Sequence, residues 1–366
     1  MTRRTFLTRG AAGLGVATAA SAGIISAPAI AQSKTKLTIV STWPRDFPGL
    51  GLSAQRLAAR IGDLSEGKLE VEYFAAGERV GAFDSFDEVA SGNSQAYIAA
   101  DYYWKGKHPG FAYFTSVPFG MTNLEWNAWL KFKDGQELWD ELSGEYGLKA
   151  YTCGGTGTQM GGWFNKEIES ADDFKGLKMR IPGLGGDVMA KLGASPVSLP
   201  GGQIYENLVS GAIDATEWVG PYNDYFMKFY EAAKYYYSPG MHEPGGGIAF
   251  GMNKEWFEKL SKWEKMVIET ACMEENAAQP EEAVSNNGEF LSKMINDNGV
   301  ELREFSDDVY DAFGEAAAEV FEETRDHSKL ATKIDDSFQS SLREMGAYLK
   351  IAEVGFSNQR NRVLDI

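Results

Sequence analysis

Short segments rich in β-branched residues alternate with segments of helical periodicity in the first part of the chain. Residues 36–42 (KLTIVST) and 68–74 (KLEVEYF) alternate in the way typical of a strand, and residues 95–100 form a third, apolar run. Between these runs, residues 51–64 carry leucine and isoleucine at helical spacing, and residues 86–91 predict a short helix. The order β-α-β-α-β predicts a parallel or mixed sheet with helices on its faces.

The same alternation starts again in the middle of the chain, and helices dominate its last third. Further strands are predicted at residues 148–152, 162–164, 177–180, 196–199, 215–219, 247–253 and 300–305. Further helices are predicted at residues 186–192, 204–210, 263–282, 307–327 and 337–353. No linker rich in proline and serine separates the two cycles. We therefore expect two α/β lobes joined by strands, followed by a helical segment.

The first 31 residues have the pattern of an export signal. Arg3 and Arg4 precede Phe6 and Leu7, an uncharged stretch of alanine, glycine and serine follows, and the segment ends in Ala-Ile-Ala at Ala31. The paired arginines resemble a twin-arginine signal, although the lysine usual after that motif is a threonine here. A retained membrane anchor is the alternative, but the stretch is weakly apolar and contains a proline. We predict cleavage after Ala31 and a soluble periplasmic protein.

The charge of the chain restricts its partners. The net charge at pH 7 is −17, and it becomes −20 without the first 31 residues, which carry three arginines and no acid. Such a chain repels phosphate backbones and anionic lipid, so nucleic acid is not an expected partner. It also repels anionic ligands at long range. An acidic ligand would therefore have to be attracted by a few local groups.

The cysteines and histidines give little support to a zinc site or a histidine-based catalytic triad. The chain has two cysteines, Cys153 and Cys272, and three histidines at scattered positions. An oxidising compartment would permit a bridge between the cysteines. We favour the alternative of two buried free thiols in elements of different lobes.

Three segments carry polar side chains in surroundings that suit a binding site. Gln159 lies among glycines in GGTGTQMGGWF, where the backbone can approach a ligand closely; the alternative is a solvated loop residue. Arg180 lies in GLKMRIPG and has the planar fork that grips a carboxylate; the alternative is an exposed arginine. Glu217 lies in the apolar strand GAIDATEWVGP, and it is either buried with a partner or on the wet face.

The same segments, with the export signal and YYYSPGMHEPGG, strongly resemble the extracytoplasmic receptors of TRAP transporters (tripartite ATP-independent periplasmic transporters). The resemblance covers essentially the whole chain after the signal. TGTQMGGWF and DATEWVGPYND resemble in particular the branch that binds 2-oxo acids such as pyruvate, and related monocarboxylates, together with a cation. The resemblance implies a binding protein and not an enzyme. Its implied partners are a small carboxylate and the membrane subunits of the transporter.

The resemblance also implies a role for each candidate residue. Arg180 would bind the substrate carboxylate, and Tyr103 would close the pocket. The implied ligands of the cation, Na⁺ or Ca²⁺, are Gln159, Glu217, the backbone carbonyl of Trp218 and Glu243. Glu243 is the position around which relatives vary most. Gln159 and Trp218 would thereby also border the substrate.

The implied fold is α/β and two-lobed, like periplasmic binding proteins, with a cleft between the lobes and a helical C-terminal tail. We expect lobe I to comprise residues 34–155 and about 245–300, and lobe II residues 156–244 and about 300–310. The tail would span residues 307–366. Relatives dimerise through such a tail, and a helix with a second apolar stripe must bury it somewhere, so a homodimer is expected.

Two other functions fit some of these residues. A metal-dependent enzyme acting on a small acid could use Glu217 or Glu243 as its base, but His242 alone stands beside either of them as an acid–base partner. A sensory binding protein would need the same pocket as a transport receptor. The sequence does not separate sensing from transport.

Overall fold

The fold was analysed in a computed structural model that describes residues 34–366. The predicted export signal lies outside these residues. The strands are β1 (Thr35–Ser41), β2 (Leu69–Phe74), β3 (Ala96–Ala99), β4 (Leu148–Gly155), β5 (Gly162–Phe164), β6 (Lys178–Arg180), β7 (Ser195–Val197), β8 (Ala215–Thr216), β9 (Tyr235–Ser238), β10 (Gly247–Asn253) and β11 (Glu301–Glu304).

Twelve α-helices occur within residues 34–366. They are α1 (Leu50–Leu64), α2 (Ser85–Ala90), α3 (Asn123–Phe132), α4 (Gly135–Glu145), α5 (Gly183–Lys191), α6 (Gly201–Val209), α7 (Pro221–Phe226), α8 (Lys254–Lys259), α9 (Lys262–Asn298), α10 (Asp307–Asp326), α11 (Lys329–Ile351) and α12 (Glu353–Leu364). No helix in this part of the chain combines the length and apolarity needed to span a membrane.

Two separate sheets confirm the predicted two-lobed α/β fold. The first has the order β2-β1-β3-β10-β4, with β1 parallel to β2 and β3, and β10 antiparallel to both its neighbours. The second has the order β11-β9-β5-β8-β6-β7, in which β5 alone runs antiparallel to its neighbours. Below, lobe I and lobe II mean these two sheets with the segments packed on them. The exact lobe boundaries stay a prediction.

The chain passes between the sheets three times. Residues 156–161 connect β4 to β5, residues 239–246 connect β9 to β10, and α9 leads from lobe I to β11 of lobe II. Helix α9 is longer than predicted and continues through Pro280, although proline removes a helical hydrogen bond. Its contacts with α1, α7 and β4 along its length keep it continuous.

Strand β9 and the cysteines depart from the predictions made from sequence. Tyr236 and Tyr237 lie in β9, a strand that we did not predict, and the Tyr236 ring stacks on the Trp163 ring with the centres 4.0 Å apart, so these rings belong to the core. Cys153 and Cys272 are buried free thiols, as favoured, but they do not lie in different lobes. Cys153 is in β4 and Cys272 in α9, and α9 packs on β4.

The C-terminal helices differ in how they attach to the lobes. Helix α10 packs on α5 of lobe II, and α11 packs on α3 and α4 of lobe I, each through a buried apolar stripe. Helix α12 contacts α11 and has no buried residue. The last part of the chain is therefore a helical tail whose final helix projects from the lobes.

Candidate ligand and cation site

The candidate residues lie at strand ends of lobe II and on two of the three connections between the sheets. Arg180 is the last residue of β6, and Glu217 and Trp218 directly follow β8. Strands β6 and β8 are parallel neighbours, so their carboxyl ends meet at one edge, where open α/β sheets bind ligands. Gln159 lies on the connection 156–161 and Glu243 on the connection 239–246. The topology thus brings four separate segments to one place.

Arg180 and Glu217 form a buried ion pair. Arg180 Nη1 donates to Glu217 Oε1, and the two side chains are 1% and 0% exposed. Arg180 Nε donates to the Leu199 carbonyl at 3.2 Å. Burial opposes the charge of Arg180, but the negative charge of Glu217 raises its pKa above the ordinary value. The alternatives of an exposed arginine and a glutamate on a wet face are both wrong.

Gln159 and Glu243 form a second buried pair beside the first. Gln159 Nε2 donates to Glu243 Oε2 at 2.6 Å, and the Gln159 backbone N–H donates to the Glu243 carbonyl at 3.0 Å. Thr156 Oγ1 also accepts a hydrogen bond from the side-chain nitrogen Gln159 Nε2, at 3.1 Å. Burial, together with the negative charge of Glu217, raises the pKa of Glu243 to about 7. Gln159 is therefore not a solvated loop residue.

His242 joins the two pairs, and the sequence analysis did not assign it to the site. Its Nε2 lies 3.3 Å from Glu217 Oε2. Burial alone would lower the pKa of His242, but the adjacent negative charge of Glu217 raises it. One ligand atom each from Glu217, His242 and Glu243 lies within 4.8 Å of the other two. The only sequence signal for His242 is its position next to Glu243.

Five buried polar atoms of this cluster have no hydrogen-bond partner within residues 34–366. They are Gln159 Oε1, Arg180 Nη2, Glu217 Oε2, His242 Nε2 and Glu243 Oε1. Buried polar atoms normally have partners, because leaving one unpaired costs about 1–3 kcal/mol. Three of the five are oxygen acceptors that suit a hard cation, and Arg180 Nη2 is a donor that suits an anion. The residues therefore fit a bound cation next to a carboxylate.

A small cavity adjoins the cluster. Its wall includes Tyr103, Gln159, Trp218 and Glu243 from the candidate set, the neighbouring Tyr102, and residues that the sequence did not single out, among them Trp43, Leu50 and Ile248. Arg180 and Glu217 do not line this cavity. Arg180 instead lies against its wall, with Cζ 5.2 Å from the centre of the Trp218 ring.

Both lobes contribute to the wall of the cavity. The rings of Tyr102 and Tyr103 from lobe I lie 4.9 Å apart. Phe47 from lobe I meets Trp218 from lobe II edge-on at 5.7 Å, and Asn223 Nδ2 donates to the Pro48 carbonyl at 3.0 Å. Residues 47 and 48 of lobe I therefore contact lobe II beside the cavity.

A family model described as bacterial extracellular solute-binding protein, family 7, matches residues 40–327. The chain is 35% identical over 320 residues to a monocarboxylate 2-oxoacid-binding periplasmic protein of Nostoc sp.. The alignment covers 87% of each of the two chains.

Two solved structures are similar in fold and sequence. One is a TRAP transporter solute-binding protein of Bordetella bronchiseptica, a mixed-occupancy dimer with calcium and picolinate. It has a TM-score of 0.89 and 31% sequence identity, and the match covers 91% of this chain and 98% of that one. The other is a TRAP periplasmic solute-binding protein of Pseudoalteromonas atlantica with bound sodium and pyruvate. It has a TM-score of 0.86 and 35% sequence identity, and the match covers 89% of this chain and 99% of that one.

Proposed function

The chain belongs to the bacterial extracellular solute-binding proteins of family 7, and we propose that it captures a small 2-oxo or 2-hydroxy monocarboxylate together with a cation. Members of this family are substrate-binding receptors of TRAP transporters and not enzymes. The receptor would deliver the acid to the membrane subunits of its transporter. The observation that carries the proposal is the set of five buried polar atoms without partners, of which three are acceptors and one is an arginine donor.

The three unpartnered acceptors are the proposed side-chain ligands of the cation. Gln159 Oε1, Glu217 Oε2 and Glu243 Oε1 are oxygens, and the Trp218 carbonyl would add a fourth. Oxygen ligands select hard cations such as Na⁺ or Ca²⁺ over zinc or copper. The relatives with bound pyruvate or picolinate hold sodium or calcium. A cation would also offset the charges of Glu217 and Glu243, which would otherwise repel an acid.

Arg180 is the proposed partner of the substrate carboxylate. Its Nη1 is held by Glu217, so Nη2 is the donor that remains for the ligand. The cation would bind a carboxylate oxygen and the 2-oxygen of the same molecule. Tyr103 would close the pocket over the ligand, and its neighbour Tyr102 lines the same wall. The Nostoc relative is named as a 2-oxoacid-binding protein and the Pseudoalteromonas relative holds pyruvate, which supports this class of ligand.

We propose that the mature protein begins after Ala31 and works in the periplasm. The signal pattern of residues 1–31 and the periplasmic description of the Nostoc relative support this location. The mass of the protein recovered from a periplasmic extract gives the cleavage point. A protein that keeps residues 1–31 and stays in the membrane fraction would contradict it.

We also propose a homodimer formed through the tail. From the end of α11 onward, seven apolar side chains are 51–77% exposed: Tyr348, Ile351, Val354, Phe356, Val363, Leu364 and Ile366. An apolar surface of this kind on a projecting helix needs a partner, and a second copy of the chain is the simplest one. The Bordetella relative is a dimer.

Selectivity among small acids tests the function. We expect pyruvate and lactate to bind tightly in the presence of Na⁺ or Ca²⁺, because each offers a 2-oxygen to the cation. Propionate has the same length and carboxylate but no 2-oxygen, so it should bind much more weakly. Calorimetric titrations of the three acids make the comparison. Equal affinity for propionate and pyruvate would exclude a cation-bound 2-oxygen.

A further inference from the structure

Asp224 is a buried carboxylate of lobe II that accepts four hydrogen bonds. Its Oδ2 accepts from Trp163 Nε1 at 2.9 Å and from the Tyr236 hydroxyl at 2.8 Å. Its Oδ1 accepts from the backbone N–H groups of Val219 and Gly220, each at 3.2 Å. Burial raises the pKa of Asp224 to about 7, while its donors favour the ionised form. Every partner is a donor, so the carboxylate form is fully satisfied.

The bond from Val219 also fixes the neighbouring carbonyl. The N–H of Val219 and the C=O of Trp218 belong to one peptide group, which is planar and trans, so the two bonds point in opposite directions. A carboxylate that holds the N–H therefore aims the Trp218 oxygen away from itself. The bond from Gly220 to the same Oδ1 holds the next peptide group as well.

The Trp218 carbonyl is free to act as a ligand, unlike the carbonyl before it. The Glu217 carbonyl accepts from Thr216 Oγ1 at 2.9 Å and from Arg180 Nη1 at 3.3 Å. The Trp218 carbonyl accepts no hydrogen bond from any residue between 34 and 366. The Met160 backbone N–H is taken up by the Val219 carbonyl instead, at 3.1 Å.

We infer that Asp224 is a positioning residue of the cation site. Its carboxylate holds the Val219 N–H so that the Trp218 carbonyl points at the cation. The inference rests on the proposed function, because it requires a cation that the Trp218 carbonyl binds. Residues that orient metal ligands without touching the metal commonly change metal affinity about 10–100-fold when they are replaced.

A purely structural role is the alternative, and lobe I contains an example of one. Asp101 is also fully buried, and it accepts from the Tyr97 hydroxyl at 3.0 Å and from Trp139 Nε1 at 2.9 Å. It has the same pair of aromatic donors as Asp224, but it holds no backbone N–H that adjoins a proposed ligand. A structural carboxylate should affect the free energy of unfolding and leave the cation affinity unchanged.

The wild-type protein allows a direct test by NMR. The peptide Trp218–Val219 is the only Trp–Val pair in the sequence, so labelling with carbonyl-¹³C tryptophan and ¹⁵N valine gives one HNCO signal. We expect Ca²⁺ to shift the ¹³C frequency of this signal while the Val219 proton keeps the downfield position of a hydrogen-bonded amide. A carbonyl frequency that Ca²⁺ does not move, in protein that calorimetry shows to bind Ca²⁺, would overturn the inference and leave the remaining ligands standing.

Variants separate orientation from stability. Asp224→Asn places an amide donor against either the backbone N–H groups or the aromatic donors, and Asp224→Glu keeps the charge but lengthens the side chain. Both should lower Ca²⁺ affinity about 10–100-fold and shift the Trp218 signal. The matched control is Tyr236→Phe, which removes one donor from Oδ2 and leaves the Oδ1 bonds in place, so its affinity should stay within about twofold of wild type.

The outcomes distinguish this inference from the proposed function. Wild-type protein that binds no cation would overturn both. Cation binding by wild type, with unchanged affinity in folded Asp224→Asn and Asp224→Glu, would overturn the role of Asp224 alone. An equal loss in Tyr236→Phe would also overturn it, because the effect would then follow general destabilisation. If the Asp224 variants do not fold, the labelled wild-type signal remains decisive.

Discussion

Arg180 and Glu217 are paired in the interior, and each keeps one polar atom, Nη2 and Oε2, that has no hydrogen-bond partner among the described residues. This pairing explains how a chain with a net charge of −17 can attract an acid. The guanidinium is held in place by one nitrogen and presents the other, and the carboxylate that holds it is itself a proposed cation ligand. The anion and cation sites therefore share one ion pair.

Replacing Arg180 should abolish acid binding and also weaken the fold. Arg180→Met removes the donor of the carboxylate and leaves the buried charge of Glu217 unpaired, which typically costs about 3–5 kcal/mol of stability. Arg180→Lys should not restore binding fully, since lysine lacks the planar fork. Calorimetry with pyruvate and denaturant unfolding give the two quantities.

The double variant Arg180→Met/Glu217→Gln is the control for this prediction. Neutralising Glu217 removes the unpaired charge, so part of the lost stability should return while acid binding stays absent. Binding near wild-type affinity in Arg180→Met would remove Arg180 from the site.

Gly183 is predicted to be required for closure of the lobes. Its φ is +66°, and a Cβ there would lie 2.6 Å from Cδ2 of Tyr102 in the opposite lobe. Gly183→Ala should weaken pyruvate binding at least about tenfold, because the lobes cannot approach fully. Gly211→Ala is the matched control, since Gly211 has a φ of +72° with open space around it. An equal loss of pyruvate affinity in the two variants would show that backbone strain, and not the contact with Tyr102, causes the loss.

Deletion of α12 should convert the dimer to a monomer. The deleted residues 353–366 include no buried side chain, so the unfolding temperature of the remaining chain should be nearly unchanged. The full-length variant Phe356→Ser/Leu364→Ser should have the same effect through the apolar face alone. Sedimentation at micromolar concentration measures the state, and a dimer that survives the deletion would place the interface elsewhere.

His108 should make the protein less stable as the pH falls from about 6.5 to about 4. Burial, with the nearby His327, lowers the pKa of His108 to about 4, so the unfolded chain takes up a proton before the folded one does. His108→Asn keeps an acceptor for the Gly110 N–H, which bonds to His108 Nδ1 at 3.0 Å, but it does not titrate. Unfolding midpoints between pH 4 and 7 should fall less steeply in the variant. Parallel curves would show that His108 does not contribute.

Local patterns were sufficient to predict the two α/β cycles, because β-branched alternation and helical spacing are visible in single segments. They did not reveal β9, whose Tyr-Tyr-Tyr core is uniformly aromatic and does not alternate, or α3 and α4. The length of α9 was also missed, since Pro280 is a local signal to stop and only contacts with three other elements override it.

The site was predicted to different degrees for different residues. Arg180 and Glu217 could be named, but their pairing depends on the adjacency of β6 and β8, which sequence spacing does not show. Gln159 and Glu243 are 84 residues apart and meet because the connections 156–161 and 239–246 pass the same point. His242 has only its position next to Glu243 as a local signal, and Asp224 has no local signal of its function. The roles of all these residues in binding remain predictions.

The dependence of acid binding on a cation is the most direct test of the proposed site. Pyruvate is titrated into chelator-treated protein in sodium-free buffer, and the titration is repeated with Na⁺ and with Ca²⁺. We predict weak binding without a cation and strong binding with one, an equal effect of pyruvate on cation affinity because coupling is reciprocal, and loss of the response in Glu217→Gln. The same pyruvate affinity in all three buffers would contradict the account, and Glu217 and Gln159 would then be ordinary buried residues.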